Sequence, residues 1–374
     1  MFGIGVSENV AAGLDSRDIS RMRGQEVSQG DVQTRLYTGR IARGLRTGTR
    51  VLLKAYPGRN VGGKDADIMA ANELSSHALL QDPSGEEVCP NLSLLLGGFQ
   101  TRTGEQWLVF RDDGRITAAN YAKAASEATA EGRAVGEWDF WDQFDPSRPI
   151  QRRRVFITKL LRGTFTGLSY MHSRGRLHQS LGPASVIMNT MEERDALFLV
   201  PHLRDLAFSA DVSDQALFGT AAFGGSSNRD PSLSFAAKDV SLESAAASLS
   251  EGLWLRASAA GARMALERKA FGLADDIYAG GLLLAYIVFA SLSEPGSIDG
   301  PSLQRLLEST FQLDIRAARE YCLADDRWAE AVQFLELDDG AGWELLQVML
   351  NPDYRQRPIA DAVLNHRFLT GAIL

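Results

Sequence analysis

The apolar run "VLLK" (51–54) ends on a lysine. Glu73 follows 19 positions later (73 − 54) inside "DADIMAANELSSHALLQD", and Asp205 sits much further on in "LRDLAFS" (203–209). A lysine and two carboxylates are a set that can hold phosphate oxygens on an ammonium and a divalent metal on a carboxylate. Each residue also has a plainer reading: a surface strand lysine, an exposed helix glutamate, and a turn-capping aspartate. The apolar residues preceding Lys54 weigh against the first of these.

A second stretch, "SRGRLHQSLGPASVIM" (173–188), has the shape of a reactive loop without reactive groups. Ser180 offers a hydroxyl whose pKa lies far above 7, so it cannot act as a base at neutral pH. Gly182 carries no charge. Ser185 is a short hydroxyl, a weaker and more distant metal ligand than an amide or carboxylate. His178 reads as a core-facing histidine and not as a catalyst.

The elements that must position these residues come from a chain of 374 residues, enough for one bilobal domain or two ordinary ones. Its 45% hydrophobic and 23% charged content is that of a soluble globular protein with a core. The net charge of −8 repels a phosphate backbone, so no nucleic-acid partner is expected. Arg152, Arg153 and Arg154, the one compact basic run, read as the solvated start of a helix. Cys89 and Cys322 form neither a disulfide framework nor a metal spacing. "GLLLAYIVFASL" (281–292) is too short to span a bilayer, so no transmembrane segment is expected. The opening "MFGIGVSENVAAGLDSRD" is neither a signal nor a transit peptide.

From about Arg21 to Asp112 the pattern favours strands with one helix. "RLYTGRIARG", "TRVLLKAY", "LSLLLGGF" and "QWLVF" are β-rich, and the run containing Glu73 has helical spacing. Beyond Gly114 the chain turns helical. Ile157, Leu161, Phe165, Leu168 and Met171 recur on one helix face. Residues 121 to 149 read as an exposed helix followed by a loop. Residues 209 to 262, dense in Ser, Ala and Gly, read as a long loop or flexible insertion.

Laid in order, these fragments resemble the protein kinase superfamily. "VLLK" is similar to the strand whose lysine contacts nucleotide phosphates, and Glu73 to that lysine's helix-borne partner. "WLVFRDDG" resembles the hinge, "YMHSRGRLHQSLGPASVIM" the catalytic loop, and "LRDLAFS" the start of an activation segment. "MALE" (264–267), "DDIYAGGLLL" and "MLNPDYRQRPIADAVLNHRFL" resemble the closing segments. The resemblance spans about residues 21 to 370 and implies an α+β, bilobal protein-kinase-like fold. Residues 1–20 would be an extension, 21–112 a small β-rich N-lobe and 113–374 a larger helical C-lobe, with 209–262 inside the activation segment. It further implies a buried Glu267–Arg357 ion pair and an Asp276 cap on the catalytic-loop backbone. The helical end also resembles the kinase-like part of plant and algal plastid-lipid-associated, fibrillin-type proteins, which would imply a chloroplast location and peripheral lipid association.

What the resemblance implies for chemistry is uneven. Lys54, Glu73, Phe110, Asp112 and Asp205 would line an ATP site, and Asp205 with Ser185 would hold Mg. Ser180, Gly182 and Ser185 stand where the family has its base, its loop lysine and its metal-binding asparagine, and Gln179 replaces an arginine. Gly24 and Gly30 are too far apart for a phosphate-covering G-x-G-x-x-G loop. Leu206 and Ala207 replace Phe-Gly, His77 puts a polar group in an apolar spine, and Phe110 with Arg111 would crowd the adenine. The expectation is a pseudokinase that binds ATP and serves a protein partner as scaffold or regulator; the alternative is a divergent Ser/Thr kinase with weak transfer.

Overall fold

Strand alternation sets which way Lys54 faces. The computed structural model describes residues 25–29, 32–81, 88–131, 135–136, 147–218 and 249–371. Five strands, β1 (Gln25–Gln29), β2 (Val32–Arg40), β3 (Arg50–Tyr56), β4 (Leu95–Gln100) and β5 (Gln106–Arg111), form an antiparallel sheet in the order β1-β2-β3-β5-β4. On the central strand β3, Lys54 lies between Leu36 of β2 and Leu108 of β5. With a side-chain period of two, Leu52, Lys54 and Tyr56 share one face and Val51, Leu53 and Ala55 the other. The second face carries Trp107 between Tyr37 and Phe99, with ring centroids 5.2 and 5.7 Å away. The first face receives helix α1 (Arg59–Leu80), whose Ala66, Met69 and Ala70 pack on Leu52, Tyr56, Leu108 and Phe110. Gly63 (φ 67°) interrupts the first turns of α1 in a conformation that only glycine adopts freely.

After the short strand β6 (Ile116–Thr117) come helices α2 (Ala118–Ala130) and α3 (Arg148–Ser173). Ile157, Leu161, Phe165, Leu168 and Met171 are all fully buried along one stripe of α3. Strands β7 (Arg176–Leu177), β8 (Val186–Met188), β9 (Pro201–Leu203) and β10 (Ala210–Asp211) make two small sheets, β6-β8-β9 and β7-β10. These clamp the loop 178–185 and the segment 204–209. Helices α4 (Asp214–Phe218) and α5 (Glu251–Ala259) precede the long helix α6 (Ala265–Ser291), and short helices continue to Gly371.

The run "GLLLAYIVFASL" belongs to α6. Among the described residues α6 is the one helix long and apolar enough to cross a membrane, with mean hydropathy 1.6 over the window, but 61% of that window is buried in the protein. Gly280 and Gly281 let it pack closely, since a Cβ there would meet the Phe165 ring at 2.7 Å and Leu350 at 2.9 Å. Its apolar character is that of a core helix. The architecture is mixed α+β, with a sheet-containing N-terminal region and a helix-rich C-terminal region. Adjacent residues tie the two together: Leu206 packs into the helical core and Ala207 into the core beneath the sheet.

Four expectations are corrected. The helix from residue 121 is not exposed: Tyr121, Ala122, Ala125 and Ala128 of α2 are fully buried in the helical core. Arg153 is not solvated: it is 1% exposed, and its Nε lies 2.6 Å from Glu193 Oε1. Glu193 also accepts from Tyr121 Oη at 3.0 Å and from Val135 N at 3.1 Å, so the carboxylate is fully enclosed. Glu267 and Arg357 do not pair. Glu267 stands in the first turn of α6, where its Oε2 accepts from Arg263 N (2.8 Å) and Met264 N (3.0 Å) and caps orphan amides. Arg357 instead donates to the carbonyls of Asn351 (2.8 Å) and Ala274 (3.1 Å) and lies over the Tyr278 ring. The flanks of 209–262 are not loop but β10, α4 and α5. Residues 219–248, the segment 1–20, Gly24 and Gly30, and most of the expected loop after α2 lie outside the described residues.

Breaking a buried pair leaves one charge uncompensated, which costs about 3–5 kcal/mol. Arg153→Ala is therefore expected to lower the unfolding free energy by about that amount in a urea titration. Arg153→Met combined with Glu193→Leu should recover most of it. A loss well under about 1 kcal/mol in the single variant would show that the pair is not enclosed.

Candidate functional site

Lys54, Glu73 and Asp205 converge. Lys54 Nζ donates to Glu73 Oε2 at 2.8 Å and Oε1 at 3.1 Å, and to Asp205 Oδ1 at 2.8 Å. Those three bonds use all three of its protons. Lys54 and Glu73 are 3% and 1% exposed. Burial is the largest influence on the Lys54 ammonium and disfavours its charge, but Asp205 and Glu73 outweigh it and hold its pKa above the ordinary lysine value. Burial likewise opposes the Asp205 carboxylate, and Lys54 with Arg204 overcomes it and holds the pKa below the ordinary value. Tyr56, two residues along β3, donates its hydroxyl to Glu73, and its ring lies 5.2 Å from the Lys54 ammonium. The plain readings of a surface lysine and an exposed glutamate do not hold.

Two connections that the residue spacing does not announce fix this cluster. Asn72, beside Glu73, donates to the carbonyls of Ala207 (2.8 Å) and Ser209 (2.9 Å), so α1 is tied to the segment after Asp205. Arg204 places its Nε 3.1 Å from Asp205 Oδ2 and donates from Nη2 to the Ala184 carbonyl at 3.1 Å. Asp205 itself has left-handed backbone angles (φ 66°, ψ 52°), a conformation that costs an ordinary residue energy and turns its carboxylate toward Lys54.

The loop 178–185 is organised by Asp276, as expected. Its carboxylate is 1% exposed and accepts from His178 N (2.7 Å), His172 Nε2 (3.0 Å), Gln179 N (2.9 Å) and Gln179 Nε2 (3.1 Å). These bonds hold Gln179 at φ 60°. His178 is fully buried, and its Nε2 meets the Arg204 carbonyl at 3.1 Å. That carbonyl only accepts, so Nε2 carries the proton. Burial lowers the His178 pKa, so the ring is neutral and structural.

The serines are equally structural. Ser180 Oγ donates to the Asp205 carbonyl at 2.8 Å. Ser185 Oγ donates to the Gly182 carbonyl (2.9 Å) and accepts from Gly182 N (3.0 Å), so its hydroxyl closes the loop on itself. A Cβ at Gly182 would meet nothing within 4 Å.

Phe110 and Asp112 stand apart from the cluster. Phe110 is 5% exposed in the core between sheet and α1. Asp112 donates its N–H to the Arg50 carbonyl (3.1 Å), and its carboxylate meets Arg50 (3.1 Å) and Arg115 (3.3 Å). Its side chain lines an open cavity with Arg111, Asn189 and His202. Among the described residues no group of three or more His, Cys, Asp or Glu side chains could hold a metal ion. No protein-family model matches the chain, and no curated protein matches it significantly.

His77 lies against Phe110, with the two rings edge-on at 5.1 Å. It is fully buried, and neither ring nitrogen makes a well-aligned hydrogen bond. Burial, opposed by Glu73 and reinforced by Lys54, lowers its pKa from 6.5 to about 4. The unfolded chain therefore binds a proton between about pH 6.5 and 4 that the folded chain does not, and stability falls as pH falls through that window. The loss at the low end is up to about 3 kcal/mol. His77→Leu should flatten that part of the stability–pH curve, measured by urea unfolding at several pH values. An equal slope in both proteins would contradict this assignment.

Proposed function

We propose that this chain has a protein-kinase-like bilobal fold and acts as a pseudokinase, a nucleotide-holding scaffold or regulator for a protein partner with little or no phosphotransfer. One observation carries the reading: two carboxylates, 19 and 151 positions along the chain from Lys54, both lie 2.8 Å from its single ammonium. Lys54 comes from the central strand, Glu73 from the helix packed on it, and Asp205 from the turn after β9. A lysine so placed would meet the phosphates of ATP, and Glu73 would keep it aimed there.

The groups that would move the phosphoryl are missing, and their replacements are committed elsewhere. A base at position 180 would have to face a substrate hydroxyl, whereas Ser180 faces the Asp205 carbonyl. Position 182 supplies no cation, and the Ser185 hydroxyl is tied to Gly182. Each missing electrostatic contribution costs about 100-fold or more in rate, so their joint loss suppresses transfer. The alternative, a divergent Ser/Thr kinase with weak transfer, draws on the formed Lys54–Glu73 pair.

Radiolabelled ATP with Mg or Mn and casein separates the two. The pseudokinase reading expects no Lys54-dependent incorporation by the natural protein. It also expects such incorporation once Ser180→Asp, Gly182→Lys and Ser185→Asn are combined. Incorporation by the natural protein that disappears in Lys54→Met would establish the alternative.

A further inference from the structure

A metal-assisted nucleotide site needs a carboxylate with charge to spare and a second oxygen or amide ligand beside it. The residues here do not fit a divalent cation. Both oxygens of Asp205 already face cations, Oδ1 facing Lys54 Nζ at 2.8 Å and Oδ2 facing Arg204 Nε at 3.1 Å. The neighbouring Ser185 hydroxyl gives its proton and one lone pair to Gly182. The charges of Lys54, Arg204, Glu73 and Asp205 sum to zero, so nothing remains to draw in a doubly charged ion.

We infer that Arg204 takes the place of the metal: the site binds a nucleoside triphosphate without a divalent cation, with the Arg204 guanidinium bridging Asp205 and the phosphates. This rests on the nucleotide reading above. The position suits the role. The Arg204 side chain is 13% exposed and reaches from the Asp205 carboxylate to the Ala184 carbonyl, beside Ser185. Its Nε contact with Asp205 is an ion pair without hydrogen-bond alignment, so that N–H is not committed to the carboxylate. A phosphate taking a Lys54 proton must displace one of its three bonds, and displacing the bond to Asp205 leaves the Lys54–Glu73 pair intact. Arg204 then keeps Asp205 neutralised while offering donors to the same anion, the function a metal performs elsewhere.

Isothermal titration calorimetry with ATP, in EDTA and in excess Mg, tests this on the full chain. Binding in EDTA within about threefold of that in Mg is expected. Arg204→Ala should weaken binding in EDTA by about tenfold or more, and Mg should restore part of it by occupying the freed Asp205. Binding by the natural protein that requires Mg overturns the inference and leaves the nucleotide reading standing. No binding under either condition overturns both. Unchanged affinity of Arg204→Ala in EDTA overturns the role given to Arg204.

Discussion

Burying charge is what this structure must manage before anything else. Lys54, Glu73, Asp205 and Arg204 lie together, largely out of water, and an ion taken from water unpaired costs several kcal/mol. Each is tolerated because the others are held at contact distance. That requirement dictates much around it. The central strand must present Lys54 toward α1, and α1 must sit at one height against the sheet. Asp205 must adopt left-handed backbone angles, and Asn72 must anchor the helix to the carbonyls beyond it. Leu206 and Ala207, packed into different cores, stop that turn from sliding.

A second buried carboxylate does the same for the loop. Asp276 accepts four hydrogen bonds, two of them from the His178 and Gln179 amides, and so fixes where the loop begins. Ser180 and Ser185 then tie the rest of the loop to the Asp205 carbonyl and to Gly182.

Much of the sheet was legible from the residues, because "TRVLLKAY" and "QWLVF" become neighbouring inner strands whose burial demands continuous apolar character. Helix α3 was legible through its stripe from Ile157 to Met171. The Glu73 face of α1 was harder to read, since Glu73, Ser76 and His77 bury a polar stripe that hydropathy does not mark. Arg153 misled because three arginines in a row look solvated and its partner Glu193 lies 40 positions away. Glu267 misled for the opposite reason: a local demand, the open amides at the start of α6, took the carboxylate before any distant partner could. Arg204 and Asn72 carry no sequence signal, because their roles depend on where Asp205 turns. The Ser- and Ala-rich composition on either side of 219–248 concealed α4 and α5, where packing outweighs local propensity.

We propose this cluster as a nucleotide site. A thermal-unfolding titration with ATP, comparing the natural protein with Lys54→Met, tests it most directly. A saturable rise in Tm is expected for the natural protein, a few degrees at concentrations well above Kd, and its loss in the variant. No rise at millimolar ATP, or an equal rise in both proteins, would contradict it.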